Sequence, residues 1–195
     1  APDTRLVEAF FNWDGDALEL SDYIGIYVIT DQLEVESGRI ELESLDADDN
    51  DGENLTGGYF IEIDGPDPGK YQWKTAAEYP TTYDSVLQLD SPKELELTIE
   101  QRDYITDYVQ RMETALFTGR AEEWRNRSYL QYLDRSSWID FHLLNVMVQN
   151  VDAFWRGAKF TKDRNQRIVA GPVWDYDRSL GSADDRDNFP TNWSP

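Results

Sequence analysis

Residues 150–181 read NVDAFWRGAKFTKDRNQRIVAGPVWDYDRSLG: a turn, a hairpin and an acidic return. Asn150-Val151-Asp152 supplies the turn. Ala158 to Thr161 pairs with Arg167 to Ala170 across Asp163, Arg164, Asn165 and Gln166. Gly171-Pro172 leads into Val173-Trp174-Asp175-Tyr176-Asp177, read as a final strand, with Trp174 and Tyr176 on one side and Asp175 and Asp177 on the other. A hairpin brings its ends together, so Asp152 and Asp175 are expected to be neighbours. Three carboxylates and Asn150 then meet at one mouth.

Carboxylates at the end of an apolar strand are costly without a cation or donors. A hard divalent ion answers that cost, because Mg²⁺ and Mn²⁺ take oxygen ligands, often a few carboxylates plus phosphate oxygens. A structural reading stands beside it: Asp175 caps a turn, Asp177 pairs with Arg178, and Asp152 caps the segment after it. Spacing alone leaves both open.

Working back from this stretch, Trp138, Ile139, Phe141, Leu143, Leu144, Val146, Met147 and Val148 are apolar around most of a helix starting near Ser136-Ser137 and ending at Gln149-Asn150. Such a helix is expected in the middle of a lobe, with His142 a hydrogen-bonded core residue. An earlier helix opens at Thr98, which forms a capping box with Gln101, and is expected to stop at Gly119. Its stripe is Tyr104, Ile105, Tyr108, Val109, Met112 and Leu116.

The first ~65 residues read as strands and turns, within the few-residue boundary error of such readings. Arg5 to Phe11 is a short strand, Asn12 to Asp16 a turn around Asp14-Gly15, and Tyr23 to Ile29 a strand expected to be largely buried. Arg39 to Glu43 alternates as a half-exposed strand, and Gly58 to Asp64 is another. Between these two, residues 46–54 (DADDNDGEN) read as an acidic hairpin tip. They also partly match a Ca²⁺ loop, with Asp49 and Asp51 in ligand positions but Ala47 where the first ligand belongs. Pro66, Pro68, Pro80 and Pro92 make the next stretch an irregular crossing, with one strand at Ser85 to Leu89.

Composition narrows the function. The chain has 195 residues and a net charge of −21, a field that repels nucleic acid backbones. It has no Cys and one His, so disulfides, thiolate chemistry and a Cys/His zinc site are excluded. No apolar run reaches the ~20 residues of a membrane span. There is no phosphate-binding glycine motif of the P-loop or dinucleotide kind.

NVDAFWRGAKFTKD followed by GPVWDYDRSLG resembles the C-lobe core of the CotH family, the spore coat protein H-like secreted protein kinases. APDTRLVEAFFN, YIGIYVITDQL, LTGGYFIEID and YITDYVQRMETAL occur upstream in the family's order, so the resemblance covers nearly the whole chain. It implies an α+β, atypical protein-kinase-like two-lobed fold, here a partial catalytic domain. Residues 1–92 would be the mostly β remainder of the N-lobe, and residues 93–195 the mainly helical C-lobe core. It implies transfer of the ATP γ-phosphate to Ser/Thr of secreted or coat proteins, in a secreted, cell-surface or coat-associated setting. Asp152 matches the catalytic aspartate and Asp175 the aspartate holding Mg²⁺ or Mn²⁺ with ATP; Asp177 and Asn150 are further candidate ligands. Gly157 stands where ordinary kinases carry a metal-binding Asn, and nucleotide-binding residues are expected mainly upstream of Ala1. The alternatives are a non-catalytic kinase-like adhesin or scaffold, and an acidic Ca²⁺-binding extracellular module.

Overall fold

The computed structural model describes residues 3–74, 85–117, 125–153 and 155–182. Pro80 and the helix stop expected at Gly119 lie outside them. The architecture is α+β with antiparallel sheets, in two compact units, Ala1–Glu41 and Leu42–Pro195. This division places the strands between residues 59 and 91 with the helices.

In the first unit, β1 (Thr4–Phe10) pairs antiparallel with β2 (Tyr23–Thr30), in register from Thr4 opposite Thr30, with an irregularity at Ala9 and Phe10. The expected turn is present: Asn12 accepts the Gly15 N–H at 2.6 Å, and Gly15 takes φ 81°, which glycine adopts freely. The expected burial of β2 is not. Ile26 is 66% and Val28 60% exposed, because among the described residues of its unit β2 pairs with β1 alone. The strand read at Arg39 to Glu43 reduces to a single bridge between Val35 and Ile40.

Among its described residues, the second unit forms a five-stranded sheet in the order β4-β5-β3-β6-β7. These are β3 (Tyr59–Asp64), β4 (Gln72–Trp73), β5 (Val86–Ser91), β6 (Ala158–Lys162) and β7 (Val169–Ala170). The two-residue period sorts their side chains. Tyr59, Ile61, Leu89, Ala158 and Phe160 join the apolar core with the helices. Helix α1 (Ile99–Phe117) opens on the expected capping box: Thr98 N–H donates to Gln101 Oε1 and Gln101 N–H to Thr98 Oγ1, each at 3.2 Å. Its Ile105, Val109 and Met112 are buried, each worth about 1.5–3 kcal/mol of apolar burial.

Helix α2 (Arg135–Val148) is capped by Asp134, which accepts the Ser137 N–H at 2.8 Å. It is not the all-round buried helix that its composition suggests. Trp138 and Phe141 pack on Phe160, but Ile139, Leu143 and Met147, four residues apart along one face, are exposed. His142 is exposed as well, so it is no core histidine.

The reverse face of the sheet is polar and charge-balanced. Glu62 on β3 is buried, and so is Lys159, its register partner on β6. Lys159 Nζ donates to Glu62 and, at 2.6 Å, to Asp90. Lys70 Nζ donates to Glu62 at 2.6 Å and also to Asp90. Two lysines and two carboxylates thus close a quartet, and Gln88 adds a bond to Glu62 at 3.0 Å.

The acidic stretch 46–54 is no hairpin tip, since its flanks do not pair with one another. It is pinned instead. Arg164 donates to Asp49 at 3.1 Å and to the Ser44 carbonyl at 2.6 Å, while Thr98 donates to Asn50 at 2.6 Å.

Candidate active site

The site lies at the end of this polar face. Glu62 opposes Lys159 and Ile63 opposes Ala158, so the next step of the register brings Asp64 toward Gly157. Gly157, at φ 67°, leaves the space a side chain would fill: a Cβ there would stand 3.5 Å from that of Asp175. The glycine found in place of an asparagine therefore lies against the acid that the resemblance assigns to the metal.

Asp152 sits in the turn after α2, as expected. Gln149 ends the helix in the left-handed region, and Trp155 and Arg156 return their N–H groups to the Asp152 carbonyl at 3.1 and 2.8 Å. The Asp152 carboxylate accepts from Arg178 Nη1 at 3.1 and 3.3 Å. The structural alternative had paired Arg178 with Asp177; its observed carboxylate partner is Asp152. Backbone bonds tie the same two loops: Val151 N–H to the Arg178 carbonyl at 3.3 Å, and Leu180 N–H to the Val148 carbonyl at 2.9 Å. Asn150, buried, bridges them from within. Its Oδ1 accepts the Asp152 N–H at 3.2 Å and its Nδ2 donates to the Asp175 carbonyl at 3.4 Å.

Residues 173–177 are not a strand. Asp175 adopts φ 59°, a left-handed conformation uncommon for a non-glycine residue, which breaks the alternation that the composition suggested. Asp175 and Asp177 are exposed rather than buried, and they lean on each other. The Asp175 carboxyl is pushed above the usual carboxylate range. Partial burial does this first, then a hydrogen bond and the charge of Asp177, then the charges of Asp64 and Asp152. Asp152, Asp175 and Asp177 are therefore electrostatic neighbours, as the hairpin argument required. Asp64 joins them. Its signal in the sequence was only an acid ending a strand, and nothing there pointed to the mouth.

The family model for CotH kinase protein matches residues 1–194. The chain belongs to the CotH kinase protein family. No curated protein and no solved structure matches it. Within the described residues, no helix is long and apolar enough to cross a membrane.

Membership in this family raises the question of a metal. The donor chemistry fits a hard cation: oxygen ligands only, with Asp175 held above its ordinary value first by partial burial and then by surrounding carboxylates, whose charge a divalent ion would neutralise. Among the described residues, no three His, Cys, Asp or Glu side chains close on one point.

Proposed function

We propose that this chain is a metal-dependent CotH-like kinase that transfers the ATP γ-phosphate to Ser or Thr of secreted or coat proteins. The observation that supports this most is the meeting of Asp152 with Asp175 across the hairpin, tied by Asn150 and Arg178, in a chain whose family match is nearly end to end. In this reading residues 1–92 contribute to an N-lobe and residues 93–195 to a C-lobe.

Asp152 accepts the proton of the acceptor hydroxyl as that oxygen bonds to the γ-phosphorus; the bond to the bridging oxygen breaks and ADP leaves. Asp175 and Asp177 would hold Mg²⁺ or Mn²⁺, which would supply charge neutralisation for the phosphates. Asn150 keeps the two loops in register through its bonds to the Asp152 N–H and the Asp175 carbonyl, and the second lone pair of its oxygen would be open to a metal. Arg178 orients the Asp152 carboxylate.

The test is phosphate transfer from radiolabelled ATP to a serine-rich acidic acceptor, with Mn²⁺, Mg²⁺ or chelator. Transfer that requires the metal supports the assignment. Transfer equal in chelator would overturn the metal-dependent reading.

A further inference from the structure

The lysines and arginines around the site are mostly taken. Arg178 holds Asp152, while Lys70 and Lys159 are locked with Glu62 and Asp90. Arg156 differs. Its side chain is exposed, and among the described residues its guanidinium has no ion pair; it lies over the Trp155 ring, 5.4 Å from the ring centre. In a chain of net charge −21, a cation beside an acidic cluster with no carboxylate attached is unexpected.

Its position is fixed from several directions. The Arg156 N–H donates to the Asp152 carbonyl at 2.8 Å, which holds the residue one turn beyond the candidate base. Trp155, the platform beneath it, is clamped: its Nε1 donates to the Val151 carbonyl at 2.9 Å, and its own carbonyl accepts from Ser85 at 2.6 Å. On the other side the guanidinium lies against Gly65, where an added Cβ would stand 3.9 Å from Cζ. Gly65 follows Asp64, so Arg156 borders the carboxylate group without pairing to it. Stacking on an aromatic face fixes a guanidinium while leaving its in-plane N–H donors free, the form suited to bidentate capture of phosphate oxygens.

We infer that Arg156 is a phosphate-gripping residue that takes the terminal phosphate oxygens of a nucleoside triphosphate at the mouth beside Asp152 and Asp175. This rests on the kinase reading. It supplies a positive donor set opposite the carboxylates, so that an anionic ligand entering this acidic protein meets attraction at one point.

The experiment is calorimetric titration of the chain and of Arg156→Gln with ATP, adenosine and inorganic tripolyphosphate, each with Mn²⁺. Arg111→Gln, which removes one charge from an exposed pair on α1, is the control. Arg156→Gln is expected to weaken ATP and tripolyphosphate about tenfold or more, as loss of a charge-assisted bidentate contact should. Adenosine should be unchanged, Arg156→Lys should recover part of the loss, and the control should match wild type. Equal ATP and tripolyphosphate affinity in wild type and Arg156→Gln overturns the proposal, and so does equal loss in the control. If wild type binds tripolyphosphate but not ATP, the kinase reading fails; the variant comparison with tripolyphosphate then still decides Arg156. Binding of neither ligand by wild type overturns both.

Discussion

Two groups of charged residues meet near the end of β3, one around Glu62 and one around Asp64 with the loop residues Asp152, Asp175 and Asp177, and they are built on opposite terms. In the quartet, Glu62 and Asp90 each contact both Lys70 and Lys159. Burial alone would raise Asp90, but the hydrogen bonds and charges of the two lysines outweigh it and hold the carboxyl below its ordinary value. In the group of Asp64, Asp152, Asp175 and Asp177, the one ion pair among the described residues joins Asp152 to Arg178, and Asp175 is pushed up first by partial burial and then by its acidic neighbours. The same side chain is used for closure in one place and left in excess in the other.

The largest effect should come from breaking the open group. Asp152→Ala is expected to lower phosphate transfer by roughly 10²–10⁴-fold, the span of a lost general base, while leaving Mn²⁺-dependent ATP binding in place. Asp175→Ala should lose that binding itself. Rate and binding measured separately for the two variants check this split; transfer undiminished by either substitution would remove both residues from their roles.

Breaking the closed group should cost stability rather than activity. Lys159→Met leaves Glu62 and Asp90 sharing Lys70 alone, with Glu62 still buried. A loss of about 3–5 kcal/mol is expected, as when one partner is taken from a buried ion pair. Urea unfolding measures it. Adding Glu62→Gln to Lys159→Met should recover part of the loss by restoring the charge balance; a double variant less stable than Lys159→Met would contradict the reading of the quartet as a matched set.

The two groups should also answer acid with opposite signs. Asp90 has a folded pKa below its ordinary 3.8, so its contribution is full above that value and is lost as pH falls through the folded pKa. Asp175 has a folded pKa above 3.8, so the native state retains a proton that the unfolded state releases. Its contribution is present below 3.8 and is lost as pH rises through the folded value. Urea midpoints followed from about pH 2 to about pH 6 should show Asp90→Asn flattening the acid limb. Asp175→Asn should flatten a decline above it.

How far the residues announced this arrangement depends on whether the signal was local. The Thr98–Gln101 box, the stripe of α1, the turn at Asp14-Gly15 and the hairpin after Asp152 are local patterns, and each is found. The neighbourhood of Asp152 and Asp175 followed from the hairpin alone. What depended on distant partners was not legible. Tyr23 to Ile29 has the composition of a buried strand, but burial needs a neighbour that β-propensity does not supply. Ile139, Leu143 and Met147 looked buried for the same reason. Asp175 looked like part of an alternating strand because residue type says little about a left-handed φ at a non-glycine position. Asp64 and the quartet arise from pairing β3 with β5 and β6, strands separated in the chain by the irregular crossing and by both helices.

The smallest effect is also the sharpest test of the contrast. Asp175→Asn removes one charge from a group in which Asp177, Asp64 and Asp152 all disfavour it. Because Asp175 is exposed, solvent screens the repulsion and the gain should be only a few tenths of a kcal/mol, up to ~0.5. Yet its sign is unusual, since most substitutions destabilise. The same change at Asp90 should be destabilising, because it leaves the lysines with one carboxylate between them. Mn²⁺ should then reverse the order at Asp175. The ion raises the melting temperature of wild type by binding the native state, and raises that of Asp175→Asn less. A thermal scan of three proteins, each with and without Mn²⁺, reads all of this. If Asp175→Asn lowers the melting temperature without metal, then Asp175 is held by its neighbours as Asp90 is, and the open group is only a second closed one.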